Sequence, residues 1–339
     1  MSHIVELKRK LFPKGVRSVL QRQRNKIFHR TTERGLAQSL EKLGIKERSV
    51  ICIHAMLSGL GHIVGGPSIV IRAVQRAVPD ATIMMPSFPF DGSALDYIKT
   101  DPVYDRHATP SRSGLLSETL RLTPGTIRSF HPTHPCVALG PEAQHLIAGS
   151  EKSQTPFSTE STYGRFSSLE NSILLLIHTN NTSLVHRVQE CVAMPNLFLP
   201  EPHAVRGYAE DGRIAEYVLR THVPVIPLYV VMPGDSPTER EYVWFPDYAL
   251  LFPDYNRSRT LGKLRSARAK KMLLERHDSF VKSGVYRFAE HRQSLIASVQ
   301  VKPWMERICA DVRQSIEMFP ADYKYENMQR AFQQGLLSK

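Results

Sequence analysis

Residues 49–66, Ser49-Val-Ile-Cys-Ile-His-Ala-Met-Leu-Ser-Gly-Leu-Gly-His-Ile-Val-Gly-Gly66, decide the fold. Val50 to Ile53 are uninterruptedly apolar, which marks a short strand buried on both faces. The following turn carries Gly59, Gly61, Gly65 and Gly66. Glycines let backbone N–H groups approach a phosphate or a thioester carbonyl closely. From Pro67 to Val78 the apolar residues recur at helical spacing. Strand, glycine-rich turn and helix in that order place the turn at the carboxyl edge of a sheet, where α/β folds bind ligands. The spacing is not Gly-x-Gly-x-x-Gly, and no Lys-Ser or Lys-Thr follows as in a P-loop. Taken alone, an ordinary strand-to-helix turn reads the same way.

Upstream, Thr31 or Thr32 is placed to cap a helix over 33–43, which Gly44 ends. Downstream, strands are expected at 81–85, 136–139, 172–177, 214–219 and 225–231. Helices are expected at 111–122, 183–191, 263–277, 282–299 and 303–318. Residues 87–109, rich in Pro, Asp, Gly and Ser, read as a long loop. The alternation predicts an α/β sheet packed between helices. Residues 1–32 form a basic arm or amphipathic helix able to touch lipid headgroups. A main domain over 33–290 and a C-terminal helical extension over 291–339 complete the expected organisation.

The net charge is +12. Residues 1–50 hold 13 Lys or Arg against 4 Asp or Glu, and residues 256–292 hold 11 against 3. Such surfaces recruit anions or anionic membranes. The basic runs lack interleaved aromatics and no nucleic-acid-binding motif is present, so a nucleic-acid partner is not expected. Cys52, Cys136, Cys191 and Cys309 are widely spaced, which argues against a zinc knuckle or a disulfide framework. No metal site is expected. No apolar run approaches the roughly 20 residues of a spanning helix, and the first residues carry no signal-peptide pattern. A cytoplasmic protein is the expectation.

Several segments, in order, resemble the aminoglycoside 3-N-acetyltransferase family. They are His54-Ala-Met-Leu-Ser-Gly-Leu-Gly61 with Val64-Gly-Gly66, Met85-Pro-Ser87, and Tyr104-Asp105 with Thr109-Pro-Ser-Arg-Ser-Gly114. Arg128-Ser-Phe-His-Pro-Thr-His134, Phe157-Ser-Thr-Glu-Ser161, Asn180-Asn-Thr-Ser-Leu-Val-His186 and Leu261-Gly-Lys-Leu264 follow. The resemblance spans about residues 33–290. It implies an α/β fold with a central mixed sheet flanked by helices, and acetyl transfer from acetyl-CoA to an amine of an aminoglycoside or an amino-sugar-like acceptor.

By the same resemblance His186 is the general base, oriented by Asp247 or, as second choice, Glu241. His54, Met56, Leu57, Ser58, Gly59, Leu60 and Gly61 would hold acetyl-CoA with Ser111, Arg112 and Ser113. Arg112 would pair with a phosphate against a helix N-terminus. His131, Asn181 and Glu190 would contact the acceptor. The chemistry is self-consistent: a thioester is already activated, so an amine attacks it directly once a base removes a proton.

Three departures stand out. Ala55-Met56 replaces a pair of serines, the residue three after His186 is Gln189 where the family has Glu, and Glu190 comes one later. They leave an alternative in view, a catalytically weakened binding protein associated with glycan or polysaccharide biosynthesis.

Overall fold

The computed structural model describes residues 29–194, 197–222, 229–252, 256–292 and 294–314. The expected basic arm up to residue 28 and the expected C-terminal extension beyond residue 314 lie outside them. Arg30 and Thr31, the arm's last part, pair in parallel with His62 and Ile63, and Thr31 is fully buried.

Seven strands form the central sheet: β1 Val50–Ala55, β2 Thr82–Pro86, β3 Ile127–Arg128, β4 Cys136–Leu139, β5 Ser172–Ile177, β6 Tyr286–His291 and β7 Ser294–Gln300. Their order is β6-β7-β5-β1-β2-β4-β3. β1 runs parallel to β5 and β2, and the remaining neighbours are antiparallel. The sheet is mixed, as expected.

Strand residues alternate between faces, and the two faces build separate cores. Ile51 and Ile53 join Ile83, Val137 and Leu175 beneath α1 (Glu33–Glu41), α2 (Ser68–Ala77) and α3 (Leu115–Arg121). Val50 and Cys52 join Met84, Cys136 and Leu174 beneath α4 (Thr162–Ser168), α5 (Leu184–Cys191), α6 (Ala267–Lys282) and α7 (Val301–Gln314). The apolar β1 run is thus the middle of a three-layer sandwich. Thr32 caps α1, its side chain accepting the Gly35 N–H.

Two helix expectations need correction. Residues 282–299 form the β6–β7 hairpin, turned at Arg292 with φ 58°. β7 lies between β6 and β5, and Ile296, Ala297 and Val299 are buried. Only a neighbouring strand on each side satisfies its backbone groups there. Ser294–Gln300, within the expected C-terminal helical extension, thus belong to the main sheet, ahead of α7.

The helix expected over 263–277 begins only at Ala267, as α6, and a separate helix, Arg257–Lys263, precedes it. The break falls at Ser266, whose hydroxyl accepts the Ala269 N–H at 3.0 Å. The Glu241 carboxylate accepts from the Arg265 and Ser266 N–H groups, and Asp235 from those of Ala267 and Arg268.

The long loop 87–109 contains a short helix, Ala94–Ile98, and a strand, Val103–Tyr104. That strand adds to a hairpin of His203–Tyr208 and the expected Ile214–Leu219. A strand is also found at Tyr229–Pro233, paired with Arg240–Trp244. Residues 225–228 of the expected 225–231 strand are not among the described ones. Among the described residues no helix is long and apolar enough to cross a membrane.

Candidate active site

After β1 the glycine segment makes a single 3-10 turn, Leu57–Leu60. The N–H groups of Met56, Gly59 and Gly61 donate to the carbonyls of Ile177, Met56 and Ser58. Those of His62, Val64 and Gly66 donate to His29, Thr31 and Ile63. Six donors of the turn are thus bound to protein carbonyls and are not open to a phosphate. Gly59 and Gly61 serve close packing. A Cβ on Gly59 would lie 2.2 Å from the His178 ring, and one on Gly61, at φ +73°, would lie 2.3 Å from the His29 carbonyl oxygen.

A cavity of about 490 Å³ opens at the end of β1, bounded by the ends of β1 and β2, the start of α3, and Thr179 and Asn181. Of the residues expected to hold the co-substrate, His54, Met56, Leu57 and Ser113 line it, whereas Ser58, Gly59, Leu60, Gly61, Ser111 and Arg112 do not. Leu60 is a core residue. Ser111 Oγ shares a hydrogen bond of 2.9 Å with Ser117 Oγ, and its N–H donates to Glu118. Arg112 is exposed and only 4.0 Å from Asp91, a surface pairing worth at most about 1 kcal/mol. Met56 and Leu115, both large, apolar and solvent-exposed, face the cavity. Burial holds the His54 ring neutral, with its pKa lowered to about 4, and its Nε2 has no hydrogen-bond partner.

A second group of residues gathers around α5. Leu184, Val185 and Val188 turn into the core, and this fixes where His186, Gln189 and Glu190 stand on the helix. His186 Nδ1 bonds Gln189 Oε1 at 2.8 Å. An amide oxygen only accepts, so Nδ1 carries the proton and the Nε2 lone pair is free. Phe157 lies 5.3 Å and His222 5.5 Å from the His186 ring. Burial, reinforced by His222 and opposed by the Gln189 bond, lowers the His186 pKa to about 4.

Asp247 and Glu241 do not orient His186. Asp247 is buried and accepts from Asn180 Nδ2 at 2.7 Å, Asn256 Nδ2 at 2.9 Å and Thr260 Oγ1 at 2.9 Å. It fixes the turn that precedes α5, while Glu241 holds the Arg265 and Ser266 N–H groups just ahead of α6. Both acids are saturated by donors of their own neighbourhood, which the sequence gives no means to foresee.

Glu190 accepts from His222 Nε2 at 2.8 Å, Thr155 Oγ1 at 2.7 Å and the Phe157 N–H at 3.1 Å. His131 Nδ1 accepts the His134 N–H at 3.0 Å, which places its ring proton on Nε2, a buried atom without a partner. His134 packs against Phe88, Phe90 and Phe157. Of the expected acceptor residues, Asn181 lines the cavity, whereas His131 and Glu190 belong to this buried imidazole cluster. Sequence reasoning missed His222, which lies more than 30 residues from α5 and in no recognisable motif. Gln189 is legible by its offset from His186.

A larger cavity of about 600 Å³ is lined by Arg106, Arg121, Arg128, Glu151 and Glu210 among others, and by none of the expected site residues. Arg106 and Arg121 are paired with Glu210 and Glu118. Among the described residues no group of three or more His, Cys, Asp or Glu is arranged to hold a metal ion. All four cysteines are free.

The neutral histidines make stability pH-dependent. His54, His131 and His186 titrate at about 4 when folded and near 6.5 when unfolded. The unfolded chain therefore binds protons first as pH falls. Their contribution is complete above pH 6.5 and is lost between 6.5 and about 4. Thermal unfolding should give a Tm that is level at pH 7–8 and declines steadily below 6.5. A Tm at pH 4.5 equal to that at pH 7.5 would contradict this assignment.

The fold and site thus define an α/β protein with a cavity of about 490 Å³ at the carboxyl edge of a mixed sheet and, on a separate helix, a neutral histidine oriented by Gln189. A profile of the aminoglycoside 3-N-acetyltransferase family matches residues 52–225, just over half of the chain, and the chain belongs to that family.

It is 31% identical over 175 residues to aminoglycoside N(3)-acetyltransferase VIII of Streptomyces fradiae, covering 47% of this chain and 61% of that protein. It is 30% identical over 179 residues to aminoglycoside N(3)-acetyltransferase III of Salmonella sp, covering 49% and 62%. The chain thus spans about three-fifths of the length of these relatives. Among solved structures it resembles aminoglycoside acetyltransferase AAC(3)-Xa, with a TM-score of 0.60 and 19% identity over 86% of this chain and 95% of that one. AAC-IIIb in a binary complex with CoASH is similar, with a TM-score of 0.59 and 18% identity over 86% and 99%. These two likenesses concern the fold.

Proposed function

We propose that this protein transfers an acetyl group from acetyl-CoA to an amine of an aminoglycoside or amino-sugar-like acceptor, with His186 as general base. The observation that carries the reading is the His186 imidazole, neutral at physiological pH, with Nδ1 fixed by Gln189 and Nε2 free to accept. The family supports it, as do fold neighbours that hold CoASH, gentamicin or apramycin.

The cavity at the end of β1 suits a pantetheine arm. Met56 and Leu115 offer apolar surface that a flexible chain would cover. In the transfer, the acceptor nitrogen bonds the acetyl carbon and the C–S bond breaks. His186 Nε2 takes the nitrogen's proton and returns it to the departing thiolate, so no proton is gained or lost overall. No covalent enzyme intermediate is needed.

A thiol-release assay with acetyl-CoA against a panel of aminoglycosides and amino sugars tests this. Amine-dependent thiol release is the expected result. Failure with every amine, together with no heat of acetyl-CoA binding, would sink it. Gln189 in place of a carboxylate favours one second reading, a weakened acetyltransferase that retains binding. Acetyl-CoA binding without turnover across the panel would select that reading.

A further inference from the structure

The feature of the site that the proposed chemistry leaves unused is the Glu190–His222 pair. His186 needs stabilisation when it takes a proton, yet its hydrogen-bond partner is an uncharged amide. An amide cannot offset the imidazolium charge as a carboxylate does. Glu190, a carboxylate one residue further along α5, holds His222 at 2.8 Å, and the His222 ring is 5.5 Å from that of His186.

Thr155 Oγ1 and the Phe157 N–H fix the same carboxylate. Phe157 packs beside both imidazoles, 5.3 Å from one and 5.6 Å from the other, and Phe198 packs on His222 at 5.0 Å. Glu190 and His222 are both nearly buried, with side chains 7% and 10% exposed. A charge so poorly solvated acts on its neighbours with little screening.

We propose that Glu190, acting through His222, supplies the negative charge that stabilises the His186 imidazolium, so that Glu190 and His222 are positioning residues of the transfer site. This rests on His186 being the base. The other ionisable groups near α5 are otherwise engaged. Arg187 donates to the Phe157 carbonyl and to Ser167 Oγ, and Arg313 on α7 to the Cys191 carbonyl. Asp247 is held by Asn180, Asn256 and Thr260. On α4, burial pushes the Tyr163 phenol up, so it stays neutral. His131 and His134 are kept neutral by burial. Glu190, joined to the ring that packs beside His186, is an anion placed to answer a charge on it.

The test compares Glu190→Gln, His222→Phe and the double variant Gln189→Glu/Glu190→Gln. Glu190→Gln keeps the shape of the side chain and removes the charge. His222→Phe keeps the aromatic packing with Phe157 and Phe198 and breaks the link. Each single variant is expected to lower kcat by about 10- to 100-fold at pH 7.5, with KM for acetyl-CoA unchanged. The double variant, which returns a carboxylate to the Nδ1 side of His186, should recover most of the loss and move the acid limb of the kcat/KM profile to higher pH. An unchanged kcat in either single variant overturns the proposal, as does a loss that the double variant fails to recover.

A second readout is independent of turnover. In NMR titrations of the histidine rings without acetyl-CoA, the proton affinity of His186 should fall in folded Glu190→Gln, and equal affinity in the two proteins overturns the proposal. Absence of thiol release by the unmodified protein would instead count against the proposed activity, leaving the titration to judge the pair.

Discussion

Replacing His186 with Ala should lower kcat by about 10²- to 10⁴-fold, while the affinity for acetyl-CoA measured by calorimetry stays within about twofold. The two effects separate because the residues lining the 490 Å³ cavity come from the ends of β1 and β2, the start of α3, Thr179 and Asn181, and do not include His186. With its folded pKa near 4, the wild-type base is unprotonated throughout pH 6–8. kcat/KM should therefore not fall through protonation of His186 until the pH approaches 4–5. Full activity of the Ala variant would remove His186 as the base.

The second large effect is expected at Asp247, and it is structural. Asp247→Ala leaves the side chains of Asn180, Asn256 and Thr260 without their acceptor in a buried setting, at a cost of about 3 kcal/mol or more. For a chain of this size that corresponds to a fall in Tm of roughly 5 °C or more. Because Asn180 leads into α5, kcat should fall as well. Asp247→Asn discriminates the roles. It retains one acceptor oxygen, so it should be milder in Tm and keep most of kcat. An Asn variant that is as stable as wild type yet loses kcat by orders of magnitude would restore Asp247 as the acid orienting the base.

The two residues show how far the sequence can be read. His186 is legible because its surroundings are local: a polar turn, an apolar stripe and a motif a few residues long. Its partner Gln189 lies one helical turn away, within the same local frame. Asp247 stands within a short motif of its own, but which donors reach a carboxylate is settled by elements far away in sequence, here the Asn180 turn and the helix carrying Thr260. His222 has no local signal, because its importance comes only from being brought against α5.

The fold divides along the same line. β4 and β5 begin and end where the apolar patterns begin and end, because burial writes itself into a run of four to six residues. The hairpin β6–β7 reads as a helix in the sequence. Val281, Val285, Phe288 and Ala289 recur at near-helical spacing, and only the open edge of β5 makes strand pairing the better use of those backbone groups.

The sequence by itself determined a mixed α/β sheet entered through the strand Val50–Ala55, and the family. Each follows from short-range patterns of burial and hydrogen-bonding capacity. Only the tertiary structure decided that the glycine turn packs against His178 and His29 with its N–H groups bound to carbonyls. It likewise decided that Asp247 anchors a turn and that Glu190 is joined to His222. The physical reason is that a hydrogen bond or an ion pair depends on distances of about 3 Å between groups that are often far apart along the chain, and packing alone sets those distances.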